Sequence, residues 1–331
     1  MSQKILIIQT AFIGDVVLAT ALIENIHATI PDAAIDFLVR KGNEGLLIQH
    51  PFIRHLLVWN KKDKKLRNLF KMLVAIRKEK YDRVINVQRY AATGLLTAFS
   101  RAKETIGFDK NPLSFLFSKS VPHNFGEGHE VERNQRLIAH FVPGPALRPK
   151  LYPAAEDELH ISQCLTGPFI TISPASVWFT KQYPPVKWAT FINKVSDDLT
   201  IYLLGGRDDR SLGEAIIQMT RSKSPVNLCG ELTYLQSAAL MRHAKMNFVN
   251  DSAPLHFASA MNAPVTAVYC STVPSFGYGP LSDVSFIVER EEPLYCRPCG
   301  LHGYSACPEG HFKCAIDIRD EQLLGNVRRE T

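Results

Sequence analysis

The chain has 331 residues, of which 46% are hydrophobic and 21% charged, and it carries a formal net charge of +6. That length suits two domains of ordinary size, each with its own core, and the composition excludes a disordered chain. No apolar run approaches the ~18 to 20 residues that a membrane-spanning helix needs. The apolar run at 5–8 is broken by Gln9, Thr10, Gly14 and Asp15, with no small-residue cleavage site behind it. A secretory leader is therefore not expected, and the chain reads as cytoplasmic.

The first strand is expected at 4–9, followed by a turn through Gly14-Asp15 and a helix from about 16 to 28. Leu18, Leu22, Ile26 and Ile30 mark the inner side of that helix. Strands are expected at 34–39, near 56–58 and at 81–87. Between the last two, residues 61–80 hold nine Lys or Arg and two acids, so the rest of the chain sums to about −1. Leu66, Leu69, Phe70, Leu73 and Ile76 fall there at helical spacing, which predicts a basic amphipathic helix. Such a helix suits a solvated face over the core, an anionic lipid surface or a phosphorylated acceptor. No aromatic–basic interleaving accompanies the charge, so nucleic acid is not an expected partner.

Strands alternating with helices imply right-handed crossovers and a parallel sheet, with ligands gathering at the carboxyl ends of the strands, where Gly14-Asp15 and Gln88-Arg89 lie. The first turn carries one glycine and no G-x-G-x-x-G, so a dinucleotide-binding fingerprint is absent. The stretch 107–132 reads as loops with short helices, and a helix opens at His129-Glu130-Val131-Glu132-Arg133. The proline-rich stretch 142–149 reads as an interdomain linker.

After the linker the pattern starts again. A strand at 169–173 leads into Pro174-Ala175-Ser176 and a loop carrying Lys181. A helix follows Pro184-Pro185, a strand at 199–204 ends in Gly205-Gly206, and helices near 210–220 and 234–243 flank a short strand at 226–228. The buried run Met246-Asn247-Phe248-Val249 then meets Asn250-Asp251-Ser252-Ala253-Pro254-Leu255-His256, the start of a helix that ends near Asn262. Asp251 or Ser252 is its expected N-cap, and Pro254 lies in the first turn, where its missing N–H costs nothing. A helix N-terminus after a strand is a natural phosphate site, with His256 one turn in, although an ordinary capped helix has the same pattern. Two α/β halves joined by a linker make a cleft, where small ligands bind.

The Gly14-Asp15 turn, Lys181 after Pro174-Ala175-Ser176, Leu204-Gly205-Gly206 and the Asn250-to-His256 stretch occur in this order across both halves. In that ordered set the chain resembles the ADP-heptose:lipopolysaccharide heptosyltransferases, glycosyltransferase family nine, over essentially its whole length. The resemblance implies the GT-B architecture, two facing Rossmann-like domains with a cleft between them. Residues 1–150 would bind the acceptor and 151–331 the nucleotide sugar. It further implies transfer from ADP-heptose with inversion, a lipid-linked core oligosaccharide as acceptor at the inner face of the cytoplasmic membrane, and no required metal or cofactor.

By that resemblance Asp15 is the catalytic base, and Lys181 neutralises the departing diphosphate. Ser176, Ser252, Ala253 and His256 would hold phosphate oxygens, Asp251 the sugar or the turn, and Glu231 the ribose. Gly14 and Arg133 would approach the acceptor or the phosphates. Two residues depart from the family pattern: Ala253 where Gly is usual, and acidic Glu231 where relatives are often basic.

Of seven cysteines, Cys164, Cys229 and Cys270 read as small buried residues. Cys296, Cys299, Cys307 and Cys314 cluster, and four thiols in such a span suit a tetrahedral zinc site. Only the first pair has the usual short ligand spacing, and similar tails in the second-heptose branch resemble a structural close-out, so no metal is expected. Two alternatives to a heptosyltransferase are a nucleotide-sugar epimerase of the same architecture and a non-catalytic sugar-nucleotide or membrane-docking protein.

Overall fold

The computed structural model describes residues 2–221 and 224–327; the last four residues of the expected second domain, 328–331, lie outside them. The chain divides into two compact units, Met1–Tyr152 and Pro153–Thr331.

In the first unit the elements run β1 (Lys4–Ile8), α1 (Ile13–Thr29), β2 (Ala34–Arg40), β3 (Ile53–Trp59), α2 (Lys65–Glu79), β4 (Arg83–Asn86), α3 (Ala91–Ala98), β5 (Glu104–Phe108), β6 (Lys119–Val121) and α4 (Glu130–Ile138). The strands form one parallel sheet in the order β3-β2-β1-β4-β5-β6. Ile5, Leu6, Ile7 and Ile8 have no exposed surface, as the central strand of a sheet covered on both faces requires. The edge strand β6 lies in the stretch read as loops, because three residues carry no legible period.

Helix α1 begins three residues earlier than expected, so Gly14 and Asp15 belong to its first turn and not to the loop before it. Residues 16–26 are all buried, so the helix has no single inner stripe. Helix α4 packs against it, and the buried Glu24 is held by the Tyr152 hydroxyl at 2.8 Å and by Lys150 at 3.2 Å. The basic helix α2 forms, but only part of its apolar set faces the core. Leu73 and Ile76 are buried and Leu69 packs beside them, whereas Leu66 and Phe70 are 81% and 65% exposed. Leu66, Phe70 and Val74 are spaced by four residues and make a second apolar stripe turned to solvent. The proline-rich stretch is not a free spacer: at its start the Gln135 amide donates to the Val142 carbonyl at 2.9 Å, and just past its end the Lys150 N–H donates to the Thr20 hydroxyl at 2.9 Å.

The second unit runs α5 (Ala155–Ile161), β7 (Phe169–Ser173), α6 (Pro185–Lys194), β8 (Thr200–Leu203), α7 (Arg210–Met219), β9 (Val226–Asn227), α8 (Tyr234–His243), β10 (Met246–Asn250), α9 (Ala253–Met261), β11 (Val265–Tyr269), β12 (Ser285–Glu289), α10 (Lys313–Ile316) and α11 (Asp320–Val327). Its parallel sheet has the order β12-β11-β10-β7-β8-β9. Counted from its own first strand, this is the same 3-2-1-4-5-6 winding as the first unit. Trp188, Phe191 and Phe248 fill the core between α6 and the sheet. In each unit the winding reverses between the first and fourth strands, β1 with β4 and β7 with β10. Chain leaving two neighbouring strands in opposite directions opens a crevice at their carboxyl ends.

Candidate active site

In the first unit the crevice is bounded by the start of α1 after β1 and by Gln88-Arg89 after β4. Asp15, in the third position of α1, is half-buried there. Its carboxyl is pushed up to about 6, first by loss of solvation and then by the carboxylate of Glu130; the Phe12 and Asp15 amides and Arg89 pull the other way. Glu130 opens α4 and grips Arg133, whose Nε and Nη2 lie 2.9 and 2.8 Å from Glu130 Oε2. Arg133 also donates to the Gly128 carbonyl at 2.8 Å and is 1% exposed. It is a buried strut of the α4 entrance, and the sequence pattern alone does not reveal that. Phe125 lies under both cations, 4.8 Å from the Arg89 guanidinium and 5.8 Å from that of Arg133. His123 beside them is pushed down to about 4 by burial and by these two arginines.

The second unit repeats this logic with different chemistry. Asn250, at the carboxyl end of β10, ties the two loops of the crevice together: its Oδ1 accepts from the Tyr183 N–H at 3.0 Å and its Nδ2 donates to the Pro174 carbonyl at 2.7 Å. The loop after β7 thereby brings Lys181 to Asp251, Nζ to Oδ2 at 2.7 Å, with both side chains largely buried. The Thr272 hydroxyl donates to the same Oδ2 at 2.6 Å. The ammonium has three donors and Asp251 takes one, so it can also serve an anion. Its partner Asp251 stands two residues before the start of α9, where backbone N–H groups and the helix dipole favour negative charge.

Ser252 is the N-cap of α9, but its hydroxyl does not cap; it reaches the Asn250 carbonyl at 3.4 Å. Ala253 takes the first helical position without a left-handed backbone, so the departure from Gly carries no conformational strain. Pro254 lies in the first turn, and His256 is buried in the helix body. Ser176 sits on the β7 loop with its carbonyl held by the Gln182 amide at 2.6 Å. Glu231 is exposed and paired with Arg210, beyond the Gly230 turn. The fold thus gathers Ser176, Lys181, Asp251, Ser252 and Ala253 on the β7 and β10 loops, while Gly14, Asp15 and Arg133 belong to the first unit. Glu130 and Thr272 were given no role from sequence; each acts on a residue far away in the chain, and no local pattern signals that.

Two doubly wound units, each with charged side chains at its switch point, are the layout of a GT-B transferase. Residues 69–301 match the model of glycosyltransferase family 9 (heptosyltransferase), and the chain belongs to that family. It is 26% identical over 281 residues to lipopolysaccharide heptosyltransferase 3 of Escherichia coli, covering 79% of this chain and 82% of that one. It is 22% identical to lipopolysaccharide heptosyltransferase 2 of Escherichia coli strain K12 over 97% of both chains. Among solved structures, E. coli ADP-heptose LPS heptosyltransferase II shares the fold with a TM-score of 0.82 at 22% identity, over 98% of this chain and 97% of that one. A glycosyl transferase of family 9 from Veillonella parvula DSM 2008 gives 0.85 at 19% identity, over 98% and 96%. The protein is a glycosyltransferase of GT-B fold, and family membership sets aside the epimerase and non-catalytic alternatives. Among the described residues no helix is long and apolar enough to cross a membrane.

Proposed function

We propose that this enzyme transfers a heptose from ADP-heptose, with inversion, to the inner core of a lipopolysaccharide acceptor. The observation that carries the donor half is the Lys181–Asp251 pair at the start of α9. A fixed ammonium beside a helix N-terminus stabilises the negative charge that collects on a diphosphate as its bond to the sugar breaks. The names of the relatives support heptose as the sugar, and ADP-heptose belongs to the named structural relative.

In this reading residues 1–150 hold the acceptor and 151–331 the donor. The acceptor hydroxyl attacks the anomeric carbon from the face opposite the diphosphate and gives its proton to Asp15. The new carbon–oxygen bond forms as the old one breaks, and ADP leaves with the electron pair. A carboxyl at about 6 is mostly ionised at pH 7 yet a better proton acceptor than an ordinary aspartate. Ser252, Ala253 and His256 lie on the phosphate side, with Ser176 beside them; Glu231, released from Arg210, accepts from the ribose. Gly14 allows the acceptor close to α1, and Arg133 fixes Glu130 next to the base. No metal takes part in the transfer. The acceptor is lipid-linked, and the exposed stripe Leu66, Phe70 and Val74 among the lysines of α2 suits the anionic surface of the membrane that carries it.

The test is calorimetry of ADP against UDP, GDP and CDP, on wild type and on Lys181→Ala. Selective ADP binding that weakens at least tenfold in the variant is expected. Selectivity for another nucleotide would remove the heptose donor, and no nucleotide binding would end the proposal.

A further inference from the structure

The four clustered cysteines are free thiols, and they line one cavity of about 150 Å³ together with Thr180 and His311. Cys299 and Cys314 are buried, and Cys296 and Cys307 are partly so. No helix or strand lies between Glu289 and Lys313, so regular backbone structure does not explain how this segment keeps its shape. Two tight turns present three of the thiols, and α10 carries the fourth, Cys314. Cys296-Arg297-Pro298-Cys299 runs into Gly300 at φ +64°, and Cys307 is closed by a bond from the Gly310 N–H to its carbonyl at 3.1 Å, with Gly310 at φ +70°. Both glycines sit in the left-handed region where a side chain would be strained.

His311 helps to define the chemistry. Its Nδ1 accepts from the Lys313 N–H at 3.0 Å, so the proton of the neutral ring is on Nε2. Nε2 lies 3.9 Å from Cys296 Sγ. The ring therefore offers an N–H to that sulfur and has no lone pair there for an ion, the position of a group that steadies a ligand from outside.

We propose that Cys296, Cys299, Cys307 and Cys314 form a thiolate site for a thiophilic metal, with His311 as hydrogen-bond donor to Cys296. An all-sulfur donor set selects zinc or iron over calcium and magnesium. Burial and mutual repulsion raise the Cys299 and Cys314 thiols, the latter to about 12, and a cation among them reverses that preference. Among the described residues, the three metal-type ligands that lie within 4.8 Å of one another are Asp36, His55 and Glu79, and Arg54 already holds both carboxylates. No three of the cysteine sulfurs lie within 4.8 Å of one another, so a single ion with bonds of ~2.3 Å would draw them inward around their cavity.

The site bears on the donor crevice. Thr180 and Tyr304 exchange two hydrogen bonds, Thr180 N–H to the Tyr304 carbonyl at 3.1 Å and Tyr304 N–H to the Thr180 hydroxyl at 2.8 Å. Gly303 packs so closely that a Cβ would stand 2.8 Å from Thr180 Oγ1 and 3.1 Å from Lys181 Cγ. A metal that pins this loop therefore positions Lys181; that consequence rests on the donor role proposed above, but the metal site does not.

The experiment is elemental analysis of the full chain purified anaerobically without chelators, followed by stripping and titration with cobalt(II). About one zinc or iron per chain is expected, and cobalt should give an intense thiolate charge-transfer band. Cys299→Ser with Cys314→Ser should lose metal and band, Cys164→Ser should keep both, and His311→Gln should weaken binding about tenfold. In case the double variant misfolds, alkylation of wild type is read by mass spectrometry: the four thiols should be protected with metal and labelled without it. No metal, no cobalt band, or equal labelling in both states would overturn the proposal. ADP calorimetry on the stripped and reloaded chain separates the two claims: metal bound without ADP binding removes the donor reading alone.

Discussion

Replacing Asp15 by Asn should impair the enzyme and stabilise the fold at once. The carboxyl titrates at about 6 against an ordinary 3.8, a rise that corresponds to roughly 3 kcal/mol. The folded chain holds this proton more tightly than the unfolded one, so between pH 4 and 6 the folded state binds more protons. The stabilisation is therefore complete below pH 3.8 and is lost as pH rises through 6. At pH 8 the native carboxylate is a liability of up to about 3 kcal/mol, trimmed to about 2 by its partial exposure. Asn is neutral and nearly isosteric, so the first unit of Asp15→Asn should melt about 4 to 8 °C higher than wild type at pH 8. The difference should vanish near pH 3.5. Loss of the proposed base should lower kcat about 10² to 10⁴-fold, and wild-type kcat/KM should climb about tenfold per pH unit up to 6 and then level. Thermal denaturation across pH 3.5 to 8 with initial rates of ADP release covers both halves. A variant no more stable than wild type at pH 8, or a rate profile that levels near 4, would refute the burial argument.

Three further outcomes are expected. Asn250→Ala leaves the buried Tyr183 N–H and Pro174 carbonyl without their partner and should cost about 2 to 4 kcal/mol in urea denaturation; less than about 1 would mean that water replaces the side chain. His123 is held neutral down to about 4, whereas the unfolded residue takes its proton near 6.5, so its stabilisation is present above 6.5 and lost as pH falls towards 4. His123→Gln should therefore gain on wild type by about 2 to 3 kcal/mol between pH 7 and 4, and parallel curves would contradict this. Leu66→Ser with Phe70→Ser should leave the melting temperature unchanged, since both are exposed. It should also lower co-sedimentation with phosphatidylglycerol vesicles, and undiminished binding would remove α2 as the lipid contact.

The α/β class and its repeat after the linker were legible because the central strands are buried on both faces: residues 5–8 read as a continuous apolar run in one half, and Phe169–Ser173 as an apolar-rich run with only Thr171 and Ser173 polar in the other. The strand–turn–helix at Asn250 to His256 was legible because Pro254 and the apolar period act within one turn. Those signals are local, and local signals misplaced what depends on partners. Helix α1 starts earlier than its apolar period because Ile13 and Gly14 are only partly covered. The five apolar residues of α2 have one period but two destinations, and only the position of the sheet beneath decides that Leu73 and Ile76 go inward while Leu66 and Phe70 do not.

The sequence by itself determined the central strands and the helices with a clear apolar period, though not short elements such as α3, β5 and β6, and the ordered set of polar residues that marks the family. Tertiary structure alone decided how those residues act. Lys181 meets Asp251 because β7 and β10 are neighbours in the sheet, and Glu130 raises Asp15 because α4 packs on α1. Charge and desolvation act through space over a few ångströms, whereas a sequence pattern reports only neighbours along the chain.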